Sequence, residues 1–143
     1  MQSFRPVLLV EDDDLDAMIT RRSLSRIGVQ NPLIRRTNGE DALAYLATGC
    51  NELPCAILLD LNMPRMNGLE FLGHVKAEAR LKDIAVFVLT TSTSQRDRET
   101  SLDSGAAAYI VKSMDAGEFV DNLAVITRYC PELAASRETS GMS

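Results

Sequence analysis

Side chains that can do chemistry follow four of the apolar runs in the sequence. Glu11 and Asp12 come directly after the first run, and Asp60 ends the third. Thr90 and Lys112 follow two later runs of the same kind. Ligands of open α/β sheets bind in the crevice outside the carboxyl ends of the strands. We therefore expect these side chains to converge on one pocket.

The residue types at these positions suit phosphoryl transfer. Carboxylates that pack together raise each other's pKa unless a cation lies between them. A carboxylate is an established nucleophile that forms aspartyl-phosphate, and a lysine and a hydroxyl are suitable partners for phosphate oxygens. Mg²⁺-assisted transfer of a phosphoryl group to Asp60 is the chemistry that fits. Lys112 would pair with the acidic cluster before transfer and with the phosphate afterwards, and Thr90 would donate a hydrogen bond to a phosphate oxygen.

The predicted cation site consists of oxygen ligands. Mg²⁺ prefers such ligands, keeps several waters, and is held by one or two carboxylates together with phosphate oxygens. Asp12 and Asp60 would bind the metal directly, Glu11 would act through a water, and a backbone carbonyl near Asn62 would complete the shell. Each residue also has an ordinary explanation as a helix-start acid, but their coincidence at neighbouring strand ends favours the chemical one.

The elements that must position these residues are five strands that alternate with five helices. Apolar runs predict the strands, and the spacing of apolar residues between them predicts the helices. The predicted strands are Pro6–Val10, Leu33–Thr37, Ala56–Asp60, Ile84–Leu89 and Ala107–Val111. The predicted helix N-caps are Asn38, Ser94 and Asp115, and Gly28 and Gly105 are predicted to end helices. The alternation predicts an α/β fold, a flavodoxin-like doubly wound parallel sheet in the order 2-1-3-4-5 with helices on both faces.

Length and charge exclude several classes of protein. The 143 residues favour one domain, which we expect over 1–129, followed by a flexible C-terminal tail over 130–143. A net charge of −5 disfavours a nucleic-acid partner, and the pairs Arg21-Arg22 and Arg35-Arg36 are interpreted as solvated surface. We expect no membrane span and no signal peptide, and hence a cytoplasmic protein with reduced cysteines.

Four segments together resemble the receiver domain of two-component response regulators. They are Val10–Asp13, Leu58–Gly68, Val88–Thr90 and Tyr109–Lys112. The resemblance implies that a histidine kinase or a histidine phosphotransfer protein donates the phosphoryl group to Asp60. It also implies that Thr90 and Tyr109 move together as a switch. We expect output through protein contacts or phosphorelay, and a protein that catalyses only its own phosphorylation and dephosphorylation.

Three further segments are similar to single-domain regulators that are paired with bacterial phytochromes. They are Gly28–Leu33, Asn38–Leu43 and Leu89–Ser92. This similarity implies a bacteriophytochrome as the kinase and a homodimer formed through the C-terminal side. Two residues depart from the broad family. Ser113 follows Lys112 where most members have proline, so the peptide bond is either trans with a shifted loop or strained. Thr91 replaces a usually smaller residue beside the phosphate site, where its bulk is predicted to narrow access.

Three other functions compete with the phosphorylated receiver. A flavodoxin-like cofactor binder would need hydroxyls or glycines after the first strand, where this chain has carboxylates. A Mg²⁺-dependent phosphohydrolase would usually have a second acid two residues after Asp60, where Asn62 stands. A degenerate receiver that acts only as a dimerisation module is disfavoured by the intact acidic and phosphate-binding residues, although Ser113 keeps it open.

Overall fold

Five parallel strands form a single sheet in the order β2-β1-β3-β4-β5. The structure is a computed structural model, and it describes residues 5–48, 52–61 and 68–129. The strands are β1 Val7–Val10, β2 Leu33–Arg36, β3 Ala56–Asp60, β4 Ala85–Thr90 and β5 Ala108–Val111. All four neighbouring pairs are parallel. The predicted fold class and strand order are confirmed.

Six helices lie in the described part of the chain. They are α1 Asp14–Arg26, α2 Gly39–Ala47, α3 Gly68–Ala77, α4 Gln95–Asp103, α5 Ala116–Leu123 and α6 Ile126–Tyr129. The side chains of Asn38, Ser94 and Asp115 each accept a hydrogen bond from the amide three residues on, which confirms the three predicted N-caps. Gly28 and Gly105 have φ values of 87° and 109°, the left-handed conformation that ends a helix at little cost for glycine.

Two apolar cores cover the two faces of the sheet. Every residue of β1 and β3 is buried, as expected for central parallel strands that are covered on both sides. Leu9 and Leu58 belong to the core that includes residues of α1 and α5. Leu8 and Ile57 belong to the core that includes residues of α2 and α3. The alternation along each strand therefore fixes both helical layers and holds the strand ends at one edge.

The predicted last helix differs from the observed one, because the chain turns between α5 and α6. The carbonyl of Ala124 accepts hydrogen bonds from both the amide and the hydroxyl of Thr127, at 3.2 and 2.8 Å. These bonds tighten the chain and interrupt the regular helical pattern. The predicted apolar stripe continues from α5 into α6, since Phe119, Leu123 and Ile126 are all buried.

Some predictions fall on residues outside the described ranges. These are the Asn62 carbonyl, the part of the Leu58–Gly68 segment over 62–67, and the tail over 130–143. Within the described ranges Cys55 is buried and forms no disulfide. None of the helices in those ranges has both the length and the apolar character needed to cross a bilayer.

Gly68 lets α3 begin directly against the end of β3. Its amide donates to the Leu61 carbonyl at 3.0 Å. A Cβ atom at position 68 would lie 2.7 Å from the Leu61 Cα and 2.8 Å from the Asp60 carbonyl oxygen. Both are backbone atoms, which cannot rotate away as a side chain can. The absence of a side chain at Gly68 therefore preserves the geometry of the chain as it leaves Asp60.

We expect Gly68→Ala to lower the free energy of unfolding by about 1–3 kcal/mol, because the added methyl overpacks this junction. Urea denaturation measures the change. Gly73→Ala is the matched control in the same helix, since a Cβ there meets nothing within 4 Å. The control should gain up to about 1 kcal/mol from helix propensity. Equal stability of the two variants would contradict the prediction.

Candidate functional site

Four predicted site residues stand at the carboxyl edge of the sheet. Asp60 is the last residue of β3 and Thr90 the last of β4, while Glu11 and Lys112 directly follow β1 and β5. The ladder continues past β5, because the Lys112 amide donates to the Thr90 carbonyl at 2.7 Å. Since β1, β3, β4 and β5 are neighbours in the sheet, these residues come together although they are far apart in sequence.

Three carboxylates form the acidic part of the site. One carboxylate oxygen from each of Glu11, Asp12 and Asp60 lies within 4.8 Å of the other two. Glu11 is fully buried, Asp60 is 7% exposed, and Asp12 is exposed to solvent. The cluster therefore has two oxygens supplied from the interior and one at the opening. Oxygen ligands in this arrangement fit a hard divalent cation.

Lys112 supplies the positive charge that faces this cluster. Its Nζ lies 2.7 Å from Glu11 Oε1, 3.0 Å from Asp16 Oδ2 and 3.8 Å from Asp60 Oδ1. The first two contacts are hydrogen bonds, whereas the third is an ion pair beyond hydrogen-bond distance. Asp16 was not among the predicted site residues. Its signal in the sequence was its place in the first turn of α1, two residues after the acidic run ends at Asp14.

Burial and charge shift the pKa values of the central pair. Burial raises the pKa of Glu11 to about 7, although the hydrogen bond from Lys112 and its charge act in the opposite direction. For Lys112, burial alone would lower the pKa. The hydrogen bond to Glu11 and the negative charges of Asp60 and Glu11 outweigh burial, so that the pKa is raised and the ammonium stays charged.

Arg35 holds the loop that carries the first two carboxylates. Its Nε donates to the Glu11 carbonyl at 3.0 Å, and its Nη1 pairs with Asp14 Oδ1 at 2.8 Å. The interpretation of Arg35 as solvated surface is therefore wrong. Residue spacing could not reveal this contact, because it depends on β2 lying next to β1 in parallel register.

Thr90 and Tyr109 are linked through one residue of the loop after β4. The Thr90 Oγ1 accepts a hydrogen bond from the Ser92 amide at 3.1 Å. The Tyr109 hydroxyl donates to the Ser92 carbonyl at 3.0 Å, and the Arg98 guanidinium lies 5.7 Å from the centre of the Tyr109 ring. Tyr109 is buried, whereas Thr91 is exposed at the rim of the loop. Sequence reasoning did not identify Ser92 as the connection between the two residues of the predicted switch.

The peptide bond between Lys112 and Ser113 is trans, since the described ranges contain no cis bond. Of the two alternatives for this bond, the structure shows the trans form. The Ser113 hydroxyl accepts a hydrogen bond from the Asp115 amide at 3.1 Å, and Asp115 in turn caps α5. Serine at this position therefore supports the turn into α5 and is compatible with a Lys112 side chain that reaches the acidic cluster.

The comparisons with known proteins agree with this fold. The sequence pattern of the response regulator receiver domain matches residues 7–124. The probable methanogenesis regulatory protein FilR2 of Methanothrix harundinacea is 34% identical over 126 residues, which are 86% of this chain and 81% of that protein. The response regulator Rcp1 of Synechocystis is 35% identical over 111 residues, which are 75% of this chain and 76% of Rcp1.

Two solved structures are also similar. The phosphorylated cyanobacterial phytochrome response regulator RcpA superimposes with a TM-score of 0.80 at 30% identity, covering 90% of this chain and 94% of RcpA. The Mn²⁺-bound form of Rcp1 gives a TM-score of 0.77 at 32% identity, covering 87% of this chain and 93% of Rcp1. With the fold, the edge residues and these relatives taken together, the chain belongs to the response regulator receiver domain family and has phytochrome response regulators among its structural neighbours.

Proposed function

We propose that this receiver domain accepts a phosphoryl group on Asp60. One observation carries the proposal: a nearly buried carboxylate stands at a strand end with two further carboxylates and a lysine ammonium around it. Such a concentration of negative charge is unfavourable in a site that does no chemistry with cations or phosphate. The related RcpA, whose structure is that of the phosphorylated protein, supports the same chemistry.

The proposed step is an in-line displacement at phosphorus. A carboxylate oxygen of Asp60 forms a new bond to phosphorus while the bond to the donor atom breaks, and the donor keeps the electron pair of that bond. When bound, Mg²⁺ supplies positive charge that offsets the carboxylates and the phosphoryl oxygens. Glu11, Asp12 and Asp60 would hold it, and the Asn62 backbone carbonyl, outside the described ranges, is the further proposed ligand. The Mn²⁺-bound form of the related Rcp1 supports a divalent ion here.

Thr90 and Lys112 are the proposed partners of the transferred group. The Thr90 oxygen already accepts a bond from the Ser92 amide, so the hydroxyl proton can be donated to a phosphoryl oxygen. A shift of Thr90 toward the phosphoryl group would pull on Ser92 and thereby on the hydroxyl of Tyr109. This is the physical form of the switch that we propose for Thr90 and Tyr109.

The proposed phosphodonor is a histidine kinase, specifically a bacteriophytochrome, or a histidine phosphotransfer protein. The similarity to phytochrome response regulators supports this donor. We further propose a cytoplasmic homodimer that signals through protein contacts or phosphorelay and neither binds nucleic acid nor inserts into a membrane. A domain boundary between residues 129 and 130 stays a prediction, because 130–143 lie outside the described ranges.

Intact mass measurement after incubation with acetyl phosphate and Mg²⁺ tests the proposed function. We expect an added mass of one phosphoryl group that is absent when EDTA removes the metal. A missing adduct would lead to a second trial with a phosphorylated histidine protein and to a titration with Mg²⁺. Failure in all three measurements would overturn the proposal and favour a module that only dimerises.

An exposed apolar stripe on α1 borders the site and suits a protein donor. Leu15, Met18 and Ile19 occupy one helical face at spacings of three and four residues, and all three are exposed. Exposed apolar side chains close to the exposed carboxylate of Asp12 indicate a surface for contact with another protein. Met114, two residues after Lys112, is also fully exposed.

The double variant Leu15→Gln/Met18→Gln is expected to slow phosphoryl transfer from a phosphorylated histidine protein by about tenfold, the cost of truncating a moderate interface hot spot. Transfer from acetyl phosphate should not change, because the acidic cluster and Lys112 remain intact. Radiolabel transfer assays with both donors measure the two rates. Leu102→Gln, an equally exposed apolar position on α4, is the control. Equal slowing with acetyl phosphate would show damage to the site instead of lost docking.

Thr91→Ala is expected to shorten the lifetime of the phosphorylated protein. The Thr91 side chain is exposed next to Thr90, where its bulk would hinder the water that hydrolyses the acyl phosphate. The decay of labelled protein after removal of the donor gives the rate constant. Thr93→Ala, another exposed threonine of the same loop, serves as control. Equal or slower decay in Thr91→Ala would defeat the prediction.

A further inference from the structure

The Lys112 ammonium is shared unequally among three carboxylates. It donates hydrogen bonds to Glu11 and Asp16, at 2.7 and 3.0 Å, and stands 3.8 Å from Asp60. An ammonium group has three donors, so two of them are directed away from the proposed phosphoacceptor. The position of the ammonium is therefore set by two acids that receive no phosphoryl group.

The two hydrogen-bonded acids differ in how easily they can release the ammonium. The Glu11 side chain is fully buried, so its loss of Lys112 would leave a carboxylate without water or a counter-charge. The Asp16 side chain is 40% exposed, so water can replace the ammonium at little cost. Asp16 is also held in place, because its amide donates to the N-cap side chain of Asp13 at 2.8 Å.

We propose that Asp16 is a positioning residue that holds the Lys112 ammonium back from Asp60 until a phosphoryl group arrives. The inference rests on the proposed function and adds to it a side chain outside the carboxylate cluster. When Asp60 becomes phosphorylated, the ammonium moves toward the phosphoryl group and gives up its bond to Asp16, while it keeps its bond to Glu11. Asp16 and the phosphoryl group thus compete for the position of the Lys112 ammonium, and the Asp16 contact favours the unphosphorylated state.

Asp16→Asn removes the competing charge and is expected to tighten binding of beryllofluoride, a mimic of the phosphoryl group. The gain should be about two- to fivefold, the range that corresponds to a partly exposed ion pair. Isothermal titration calorimetry at saturating Mg²⁺ measures this affinity and keeps changes in metal binding out of the comparison. Asp16→Glu restores the charge and should return the affinity to that of the wild type.

Asp14→Asn is the matched control for charge and helix dipole. Asp14 lies in the same first turn of α1, but it pairs with Arg35 and not with Lys112. Its replacement should leave the beryllofluoride affinity unchanged, because the Asp14 side chain is 95% exposed and Arg35 keeps its own bond to the Glu11 carbonyl. If the wild type binds beryllofluoride but Asp16→Asn and Asp14→Asn bind it with equal affinity, the proposed role of Asp16 is overturned and the proposed function is not. A wild type that binds no beryllofluoride would overturn the proposed function and this inference with it.

A second measurement observes Lys112 without any phosphoryl mimic. The ¹⁵N resonance of the Lys112 ammonium is observable in the unliganded protein when its hydrogen bonds slow exchange with water. We expect faster hydrogen exchange of this ammonium in Asp16→Asn and no change in Asp14→Asn. A merely structural role of Asp16 in α1 would leave the exchange rate unaltered, and that result would contradict the inference.

Discussion

The Asp60→Asn variant should take up no phosphoryl group from acetyl phosphate or from a phosphorylated histidine protein. An amide oxygen is a poor nucleophile. Of the neighbouring acids, Glu11 is fully buried and hydrogen-bonded to Lys112, and Asp12 lies exposed at the opening of the site. Intact mass spectrometry should show the complete loss of the adduct, not a slower reaction. Uptake at an unchanged level would place the acceptor on another residue and would overturn the proposed role of Asp60.

The same variant should nevertheless fold at least as stably as the wild type. Replacing Asp60 removes one of three carboxylates that lie within 4.8 Å of each other, and this relieves their mutual repulsion. Urea denaturation without Mg²⁺ tests this point, and circular dichroism confirms the fold. Loss of both phosphoryl uptake and stability in Asp60→Asn would indicate that the site as a whole had collapsed. Thr90→Ala, which keeps the acceptor, is the parallel control. Thr90→Ala should still gain a phosphoryl group, although more slowly.

Lys112→Met should cause the largest loss of stability among the site variants. Removing one partner of a buried ion pair leaves the other charge without compensation, which costs about 3–5 kcal/mol of unfolding free energy at about pH 8, where Glu11 is ionised. Glu11 is fully buried, and Asp60 would lose its nearby cation as well. Chemical denaturation of the metal-free protein measures the change. Lys82→Met, at an exposed position, is the control and should stay within about 0.5 kcal/mol of the wild type.

The loss of unfolding free energy in Lys112→Met should depend on pH and on Mg²⁺. Because the folded-state pKa of Glu11 is raised from 4.5 to about 7, its ionisation opposes folding as the pH rises through that interval. Without Lys112, the ionisation of Glu11 costs more folding free energy. The stability lost in Lys112→Met should therefore become smaller at pH values below that interval, where Glu11 is protonated. The favourable share of Lys112 is fully present below its ordinary pKa of 10.5 and is lost as the pH rises through its raised pKa. Mg²⁺ should stabilise the variant more than the wild type. A loss of stability that changed with neither pH nor Mg²⁺ would contradict this explanation.

The sequence was sufficient for the parts of the fold that depend on local patterns. The apolar runs identified all five strands, and Ala56–Asp60 was placed with the bounds of β3. Short polar side chains before helices predicted three N-caps, because the capping hydrogen bond spans only three residues. The strand order then brought Glu11, Asp60, Thr90 and Lys112 to one edge, since the order of a doubly wound sheet determines which strand ends are neighbours.

The features that could not be predicted depend on contacts between different helices and strands, or on the hydroxyl of Thr127. The bond from Arg35 to the Glu11 carbonyl requires the register of β2 on β1, which no spacing within either strand reveals. The bond from Lys112 to Asp16 requires the rotation of α1 about its axis as well as the sheet order. The break after α5 depends on the hydroxyl of Thr127, because the apolar stripe continues across it.

The distance in sequence between the two members of the central ion pair has a consequence for synthesis of the chain. Glu11 and Lys112 are 101 residues apart, so the pair forms only after β5 has joined the sheet. Contacts of such long range form late and slow the folding of a small domain. A nascent chain on the ribosome therefore contains Asp60 well before Lys112 can join the acidic cluster. The proposed phosphoacceptor site is complete only when the last strand has emerged and docked on the sheet.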